Sequence, residues 1–402
     1  MDDKNLISFE DTSVAFASKS DKELRRMYLL FSAMNWKQLT KIGTNFVKTA
    51  FEIRFPIKRI IKNTLFKQFC GGETIEECGK TIKELQQYNI TTIPDYSVEG
   101  DSHEANYLNT AREIDKLITL DAESNAISFT VFKVSGIASA EILQKIQLGE
   151  SLSLEENQIF DKIKERLEHL CKNAWKNNVR LLIDAEESWI QGTIDALVLA
   201  MMSKYNKETA IVYNTFQMYR ADMLDSLKEA YDLAITDRFF LGVKLVRGAY
   251  MEKENLRAKE LGYKSPIYAT KAETDIAFNE AIDFCVGNIQ MTHLCLGTHN
   301  EESTKLLVEL MHKKHIPVDD ERIYFSQLYG MGDHISYNLA KAGYNVAKYL
   351  PFGPVEAVMP YLFRRAQENK AMTGQTSREL MLIKQELKKR KQLREGQLSP
   401  SA

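Results

Sequence analysis

The chain has no close cysteine pair. Its five cysteines, Cys70, Cys78, Cys171, Cys285 and Cys295, are odd in number and none sits in a CxxC. That argues against a disulfide scaffold or a zinc site and fits a reducing compartment. No uninterrupted apolar run reaches the roughly 18 residues that a membrane-spanning helix needs. Charge of one sign is also lacking: 53 Lys and Arg against 55 Asp and Glu leave −2 at pH 7. Nothing general then attracts nucleic acid, and any anion binding has to be local. The opening MDDKNLISFED is acidic, with neither a signal-peptide core nor an arginine-rich transit pattern, so a cytoplasmic protein is expected. Nucleotide-loop signatures are missing too. GKT at 79–81 has Thr74 where a phosphate loop needs glycine, and it falls inside a helical pattern. GMG at 330–332 is a fragment of a dinucleotide fingerprint and indicates no Rossmann domain. His312 and His315 lie in a charged HKKH stretch with no neighbouring cysteine or carboxylate cluster, so no metal site is expected.

What is present is a globular chain of 402 residues, 44% hydrophobic, long enough for one large core with attachments. From about residue 70, β-rich runs alternate with amphipathic segments. The runs cover 90–96, 127–136, 179–186, 209–216, 239–248, 291–300, 322–330 and 345–353. Nearly continuous apolar runs separated by helices indicate parallel strands covered on both faces. About eight such units over roughly 280 residues suit an α/β fold, a (β/α)8 barrel of the TIM type, better than an open sheet. The connection between the second and third runs has room for two helices. The expected organisation is an N-terminal helical arm (1–68), the barrel (69–375) and a charged tail (376–402). Within the arm, Ile57, Ile61, Leu65 and Phe69 form one stripe of a basic amphipathic helix, with Pro56 at its start. Such a stripe packs on the parent domain or lies on a membrane surface, and both readings stay open. The tail is expected to be a frayed or solvated helix, with anionic lipid as the alternative.

Polar residues fall late in these runs. Lys133 closes the second and Asp184 the third; Asn214 ends the fourth; Lys244 and Arg247 end the fifth. Thr298, His299 and Asn300 end the sixth, Gln327 lies late in the seventh and Tyr349 at the end of the eighth. In a barrel these ends open on one face, where active sites of the fold are built. An unpaired buried lysine or carboxylate costs several kcal/mol, so Lys133 and Asp184 require charged partners or a ligand. After the last run, YLPFGPVEAVMPYLFRRAQEN puts Arg364 and Arg365 side by side on a helical segment, with Glu368 within reach of either. Adjacent helical residues point about 100° apart, so both guanidinium groups meet one anion only at the edge between them. The plain alternative is an amphipathic helix with two surface arginines.

FKVSG at 132–136, LIDAEE at 182–187, KLVRGAY at 244–250, GTHN at 297–300, LYGMGD at 328–333 and the YLPFGP…FRRAQEN stretch together resemble the proline dehydrogenase family. The likeness runs in order from about 68 to 372. CGGET and the N-terminal helices look like its monofunctional, eukaryote-type branch. The resemblance implies a distorted (β/α)8 barrel that holds FAD and oxidises L-proline by hydride transfer from C5 to flavin N5. The product is Δ1-pyrroline-5-carboxylate, the first step of proline catabolism, and the electrons pass to a membrane quinone. It also implies a downstream partner, the pyrroline-5-carboxylate/glutamate semialdehyde dehydrogenase, and peripheral contact with the inner face of a membrane. By the same likeness Lys133, Arg364 and Arg365 bind the proline carboxylate and Glu368 holds the arginines. Leu245 and Tyr349 wall the ring, with Tyr250 nearby, and Asp184 and Lys244 are the catalytic pair. Ala185, Asn214, Arg247, Gly248, Ala249, Thr298 and His299 contact FAD, with Gln217 and Gln327 as weaker candidates. Many bacterial members carry Arg at position 244 and Lys at 247; here the two cations are exchanged, and lysine cannot reproduce a guanidinium fork. Two rivals remain at this point: a hydroxyproline dehydrogenase on the same scaffold, and a barrel that binds an anionic metabolite without redox chemistry.

Overall fold

Eight parallel strands close on one another in chain order. They are β1 (Ile90–Tyr96), β2 (Thr130–Lys133), β3 (Leu181–Asp184), β4 (Val212–Gln217), β5 (Leu241–Val246), β6 (Thr292–Gly297), β7 (Ile323–Leu328) and β8 (Val346–Phe352). This computed structural model describes residues 6–34, 59, 61–96, 103–362, 364–365 and 375–397. Seven of the eight strands lie inside runs expected from sequence, and β4 continues one residue past its run, to Gln217. Apart from the first, which coincides with β1, the runs extend past the strands at one or both ends, because they include loop residues.

Alternation along each strand sorts side chains into two layers. Ile93, Val131, Leu182, Tyr213, Cys295, Ala347 and Tyr349 pack together inside the barrel. Ile183, Val212, Val243, Leu245, Leu294, Leu296 and Phe325 face the other way and join the larger core under the surrounding helices. Two helices, Ala140–Gln147 and Leu154–Lys176, fill the connection between β2 and β3. The second opens with a capping box in which Ser153 and Glu156 satisfy each other's backbone N–H groups.

A second core lies beside the barrel and joins the two chain ends. Phe16, Leu24, Met27 and Phe31 from the first helices pack with Ile61, Phe66 and Phe69, with Val355, Val358 and Leu362, and with Leu382 and Ile383. Each such fully buried side chain contributes roughly 1.5–3 kcal/mol. Of the amphipathic stripe, Ile61, Leu65 and Phe69 turn inward and pack into this core. Pro56 and Ile57 lie outside the described residues.

The tail also departs from expectation. Gln375–Gln397 is a helix docked along Asp21–Met34 rather than a solvated end. Arg390 fixes it by donating to Glu386, to Asp21 and to the Lys19 and Phe16 carbonyls. Arg378 adds bonds to Glu301 and Glu10. Charge patterning suggested solvation because Glu10, Phe16, Lys19 and Asp21, which hold these cations, lie more than 350 residues away in sequence. Among the described residues no helix is long and apolar enough to cross a membrane.

Candidate active site at the strand tips

The carboxyl ends of β2 to β8 carry the polar residues marked in the sequence. Register sets Lys133 beside Asp184, and Lys244 beside Thr215 and Cys295. Asp184 is the hub. Its Oδ1 takes a hydrogen from Lys244 Nζ at 2.6 Å, and its Oδ2 takes one from the Tyr349 hydroxyl at 2.5 Å. Lys244 also lies 3.3 Å from that hydroxyl and 4.3 Å from the ring centroid. The lysine and aspartate side chains are only 7% and 16% exposed, so the pair meets the requirement for a charged partner. Burial, and then the adjacent Asp184, hold the Tyr349 phenol well above its ordinary pKa, so it stays a donor.

Lys133 and Arg364 open on one cavity of about 720 Å³, together with Asp95, Glu186 and Tyr250. Arg365 is buried, at 8% exposure, with its guanidinium 5.1 Å from the Tyr361 ring. Its charge reaches His299, while Arg364 reaches the cavity, so the two arginines diverge from their helix, as an offset of about 100° allows. Neither is a plain surface arginine. Glu368 lies outside the described residues.

On the far side, Arg247 donates Nε–H to Asp275 at 2.7 Å and its terminal nitrogens to Thr298 at 2.8 Å and Ser303 at 2.9 Å. His299 is neutral: burial, Lys348 and Arg365 push its pKa well below the usual value. Its Nε2 accepts the Leu328 N–H at 3.3 Å, which leaves the ring proton on Nδ1. Gly332 is required beside it, because a Cβ there would come within 2.7 Å of Nδ1. Gln217 accepts from the Ala249 N–H, and Gln327 donates to the Thr298 carbonyl.

Two expected site residues sit elsewhere, for the same reason. Leu245 and Asn214 occupy outward positions in their strands. Leu245 is fully buried in the helix-facing core, and Asn214 donates to Asp195 of the helix Ser188–Tyr205 at 2.8 Å. Strand alternation thus gives the rim of β4 to Gln217, and β5 presents Lys244 to the barrel interior.

Some buried polar residues were not singled out from sequence. Lys348 is completely buried in β8 and pairs with Asp333 at 2.8 Å. Burial alone would raise the Asp333 pKa, but Lys348 holds it below the ordinary range. Glu186 takes both hydrogens of Ser135, and burial pushes its carboxyl up to about 7. Lys348 carried the signal that exposed Lys133, a lysine inside an apolar run. Glu186 was masked by sitting in a pair of glutamates after the strand.

The donor set can be tested for a flavin nucleotide. Arg247 spends three of five N–H groups on protein partners, leaving two in a largely buried guanidinium. Ala185, Gly248 and Ala249 place little side-chain bulk on the adjoining tips. Such an edge suits a planar, acceptor-rich, anionic cofactor, so the residues fit FAD.

A parallel eight-stranded barrel with charged, mutually paired residues at its strand ends defines a (β/α)8-barrel enzyme. The chain belongs to the proline dehydrogenase family, whose model matches residues 78–378. By membership it is an oxidoreductase of the proline dehydrogenase type. It is 32% identical to mitochondrial proline dehydrogenase 1 of Dictyostelium discoideum, over 94% of this chain and 74% of that protein. It is also 31% identical to a hydroxyproline dehydrogenase of Xenopus laevis, over 96% of this chain and 91% of that one. Among solved structures it resembles proline utilization A from Bdellovibrio bacteriovorus inactivated by N-propargylglycine. The TM-score is 0.70 at 20% identity, covering 89% of this chain and 38% of that one, which supports the fold.

Proposed function

We propose that the chain oxidises L-proline to Δ1-pyrroline-5-carboxylate with FAD held across the tips of β3 to β7 and a membrane quinone as the electron acceptor. The observation that carries this reading is the opening of Lys133 and Arg364, from opposite ends of the barrel sequence, on one cavity, with Lys133 in register beside Asp184 of the Asp184–Lys244–Tyr349 cluster.

Lys133 and Arg364 neutralise the substrate carboxylate by charge-assisted hydrogen bonds, with Arg365 adding positive potential from behind. Glu368 would fix the arginine rotamers. Tyr349 walls the pyrrolidine ring. Asp184 is already committed to a lysine and a phenol, so it orients the cluster and balances its charge, and it is not the base. The substrate amine has to lose its proton before its lone pair can assist C5–H cleavage, so turnover rises with pH. Arg247, Thr298, His299, Gly248, Ala249 and Ala185 would hold FAD, which supplies the two-electron, hydride-accepting ring. The protein contributes position and electrostatics.

The deciding experiment is the visible spectrum before and after anaerobic L-proline. A yellow protein bleached by the substrate supports the reading; a colourless one, or one that proline leaves unchanged, sinks it. The hydroxyproline alternative is kept in view by the Xenopus relative, whose similarity is about the same. Tyr349 argues against it, because its hydroxyl is bound to Asp184 and its ring fills the space a 4-hydroxyl would need. Comparing kcat/KM for L-proline and 4-hydroxyproline separates the two. Contact with lipid narrows to electrostatics, through exposed residues such as Lys384, Lys388 and Lys391 on the docked helix. Liposome sedimentation without association, with and without anionic lipid, would remove it.

A further inference from the structure

Glu186 and Gln217 together lace four strand ends. Glu186 lies two residues beyond Asp184 and is 3% exposed. Its Oε1 accepts the Ser135 N–H at 2.8 Å, and its Oε2 accepts the Ser135 hydroxyl. Its own N–H donates to Gln191 Oε1 at 2.6 Å, and its carbonyl accepts from Gln217 Nε2 at 2.7 Å. Gln217 Oε1 then accepts the Ala249 N–H at 3.2 Å, one residue before Tyr250. The path runs without a break from the tip of β2, through β3 and β4, to the residue preceding Tyr250. Ser135, Glu186, Lys133, Tyr250 and Arg364 all line the same cavity.

A buried carboxylate is an expensive way to tie a loop unless its geometry matters, since stripping it of water costs several kcal/mol. Both oxygens here are spent on one residue, Ser135, which follows Lys133 by two positions in a tight turn (Val134–Gly136). The clamp therefore fixes how far the β2 tip leans over the mouth. We propose that Glu186 is a positioning residue of the substrate site, which through Ser135 sets the depth of Lys133 and through Gln217 steadies the approach to Tyr250. This inference rests on the reading of Lys133 as a carboxylate anchor.

An anchor that holds the carboxylate equally in ground and transition states affects KM and leaves kcat alone. The test uses the full chain with FAD bound and compares Ser135→Ala, Glu186→Ala, the double variant and Glu186→Gln. Two quantities are read: KM and kcat for L-proline, and the Kd of tetrahydrofuran-2-carboxylate, a cyclic acid with no amine to oxidise, from its perturbation of the visible spectrum. Glu186→Ala is expected to raise KM and Kd about ten-fold, with kcat within two-fold. The double variant should be no worse than Glu186→Ala, because both changes break one clamp. Glu186→Gln retains an oxygen for the Ser135 N–H and should restore most of the affinity. If Glu186→Ala does not fold, Ser135→Ala alone, which removes only a hydroxyl, still has to raise KM and Kd by at least two-fold. Folded variants with unchanged KM and Kd, or losses that add in the double variant, overturn the positioning role. A wild type that neither binds the cyclic acid nor oxidises L-proline overturns the functional reading instead.

Discussion

Tyr349 and Asp184 share a hydrogen across the barrel mouth, hydroxyl to Oδ2 at 2.5 Å, although 165 residues separate them. The bond connects the last strand to the third and fixes the orientation of the tyrosine ring, which the proposed reading makes a wall of the substrate site. Removing the hydroxyl in Tyr349→Phe keeps the wall and loses the bond to a charged acceptor, worth about 1.5–3 kcal/mol. We expect kcat/KM for L-proline to fall by about ten-fold or more and Tm to drop by roughly a few degrees. Tyr349→Ser should lose more activity on L-proline and narrow the gap to 4-hydroxyproline. Steady-state kinetics on both substrates check this, and an unchanged ratio in Tyr349→Ser would count against the wall.

Lys244 and Asp184 form a largely buried ion pair, so breaking one side leaves the other uncompensated. Asp184→Asn should lower stability by about 2–4 kcal/mol, at or below the range for such losses because some solvent reaches the aspartate. Adding Lys244→Met should recover part of that loss. Denaturant unfolding of the single and double variants reads the coupling. Strictly additive losses would show that the pair does not interact.

Arg364 faces the cavity and Arg365 faces His299, so the two should not be interchangeable. Arg364→Lys is expected to raise the KM for L-proline, because a lysine supplies a point charge in place of a fork. Arg365→Lys should act more on the His299 side and show a larger change in the flavin absorbance band than in KM. Equal effects on both readouts in both variants would remove the distinction.

Glu379, on the docked C-terminal helix, accepts the Gly332 N–H, and burial pushes its pKa from 4.5 up to about 7. A folded-state pKa above the unfolded one means the native state binds the proton more tightly. The associated stability is present in full below pH ~4.5 and is lost as pH rises through about 7, to at most about 3 kcal/mol. Glu379→Gln has no such dependence. Its Tm relative to wild type should therefore be higher at pH 8 than at pH 5. A difference that is flat with pH, or of opposite sign, refutes the shift.

The barrel was legible because each strand is an apolar run and each run ends in a polar group. Lys133, Asp184, Lys244 and Tyr349 stood out as polar groups late in those runs, and they do sit toward the carboxyl ends of the strands. Leu245 and Asn214 were misplaced because the period-2 alternation of a strand decides which neighbour faces inward, and a motif match does not resolve it. Glu186 was hidden beside Glu187, since only burial separates the fully buried carboxylate from its half-buried neighbour. The C-terminal helix read as a solvated tail because its partners, Glu10, Phe16, Lys19 and Asp21, are at the other end of the chain.

The pairing of the first and last helices has a consequence for the order of assembly. Strands β1 to β8 can close before the final segment exists, but the platform under Arg364 and Arg365 is completed only when Leu382 and Ile383 dock against Phe16, Leu24 and Phe31. During synthesis this is the contact of longest loop closure, and it forms after the barrel has emerged. A nascent chain thus completes the seat of its paired arginines last, once its first and last helices have met.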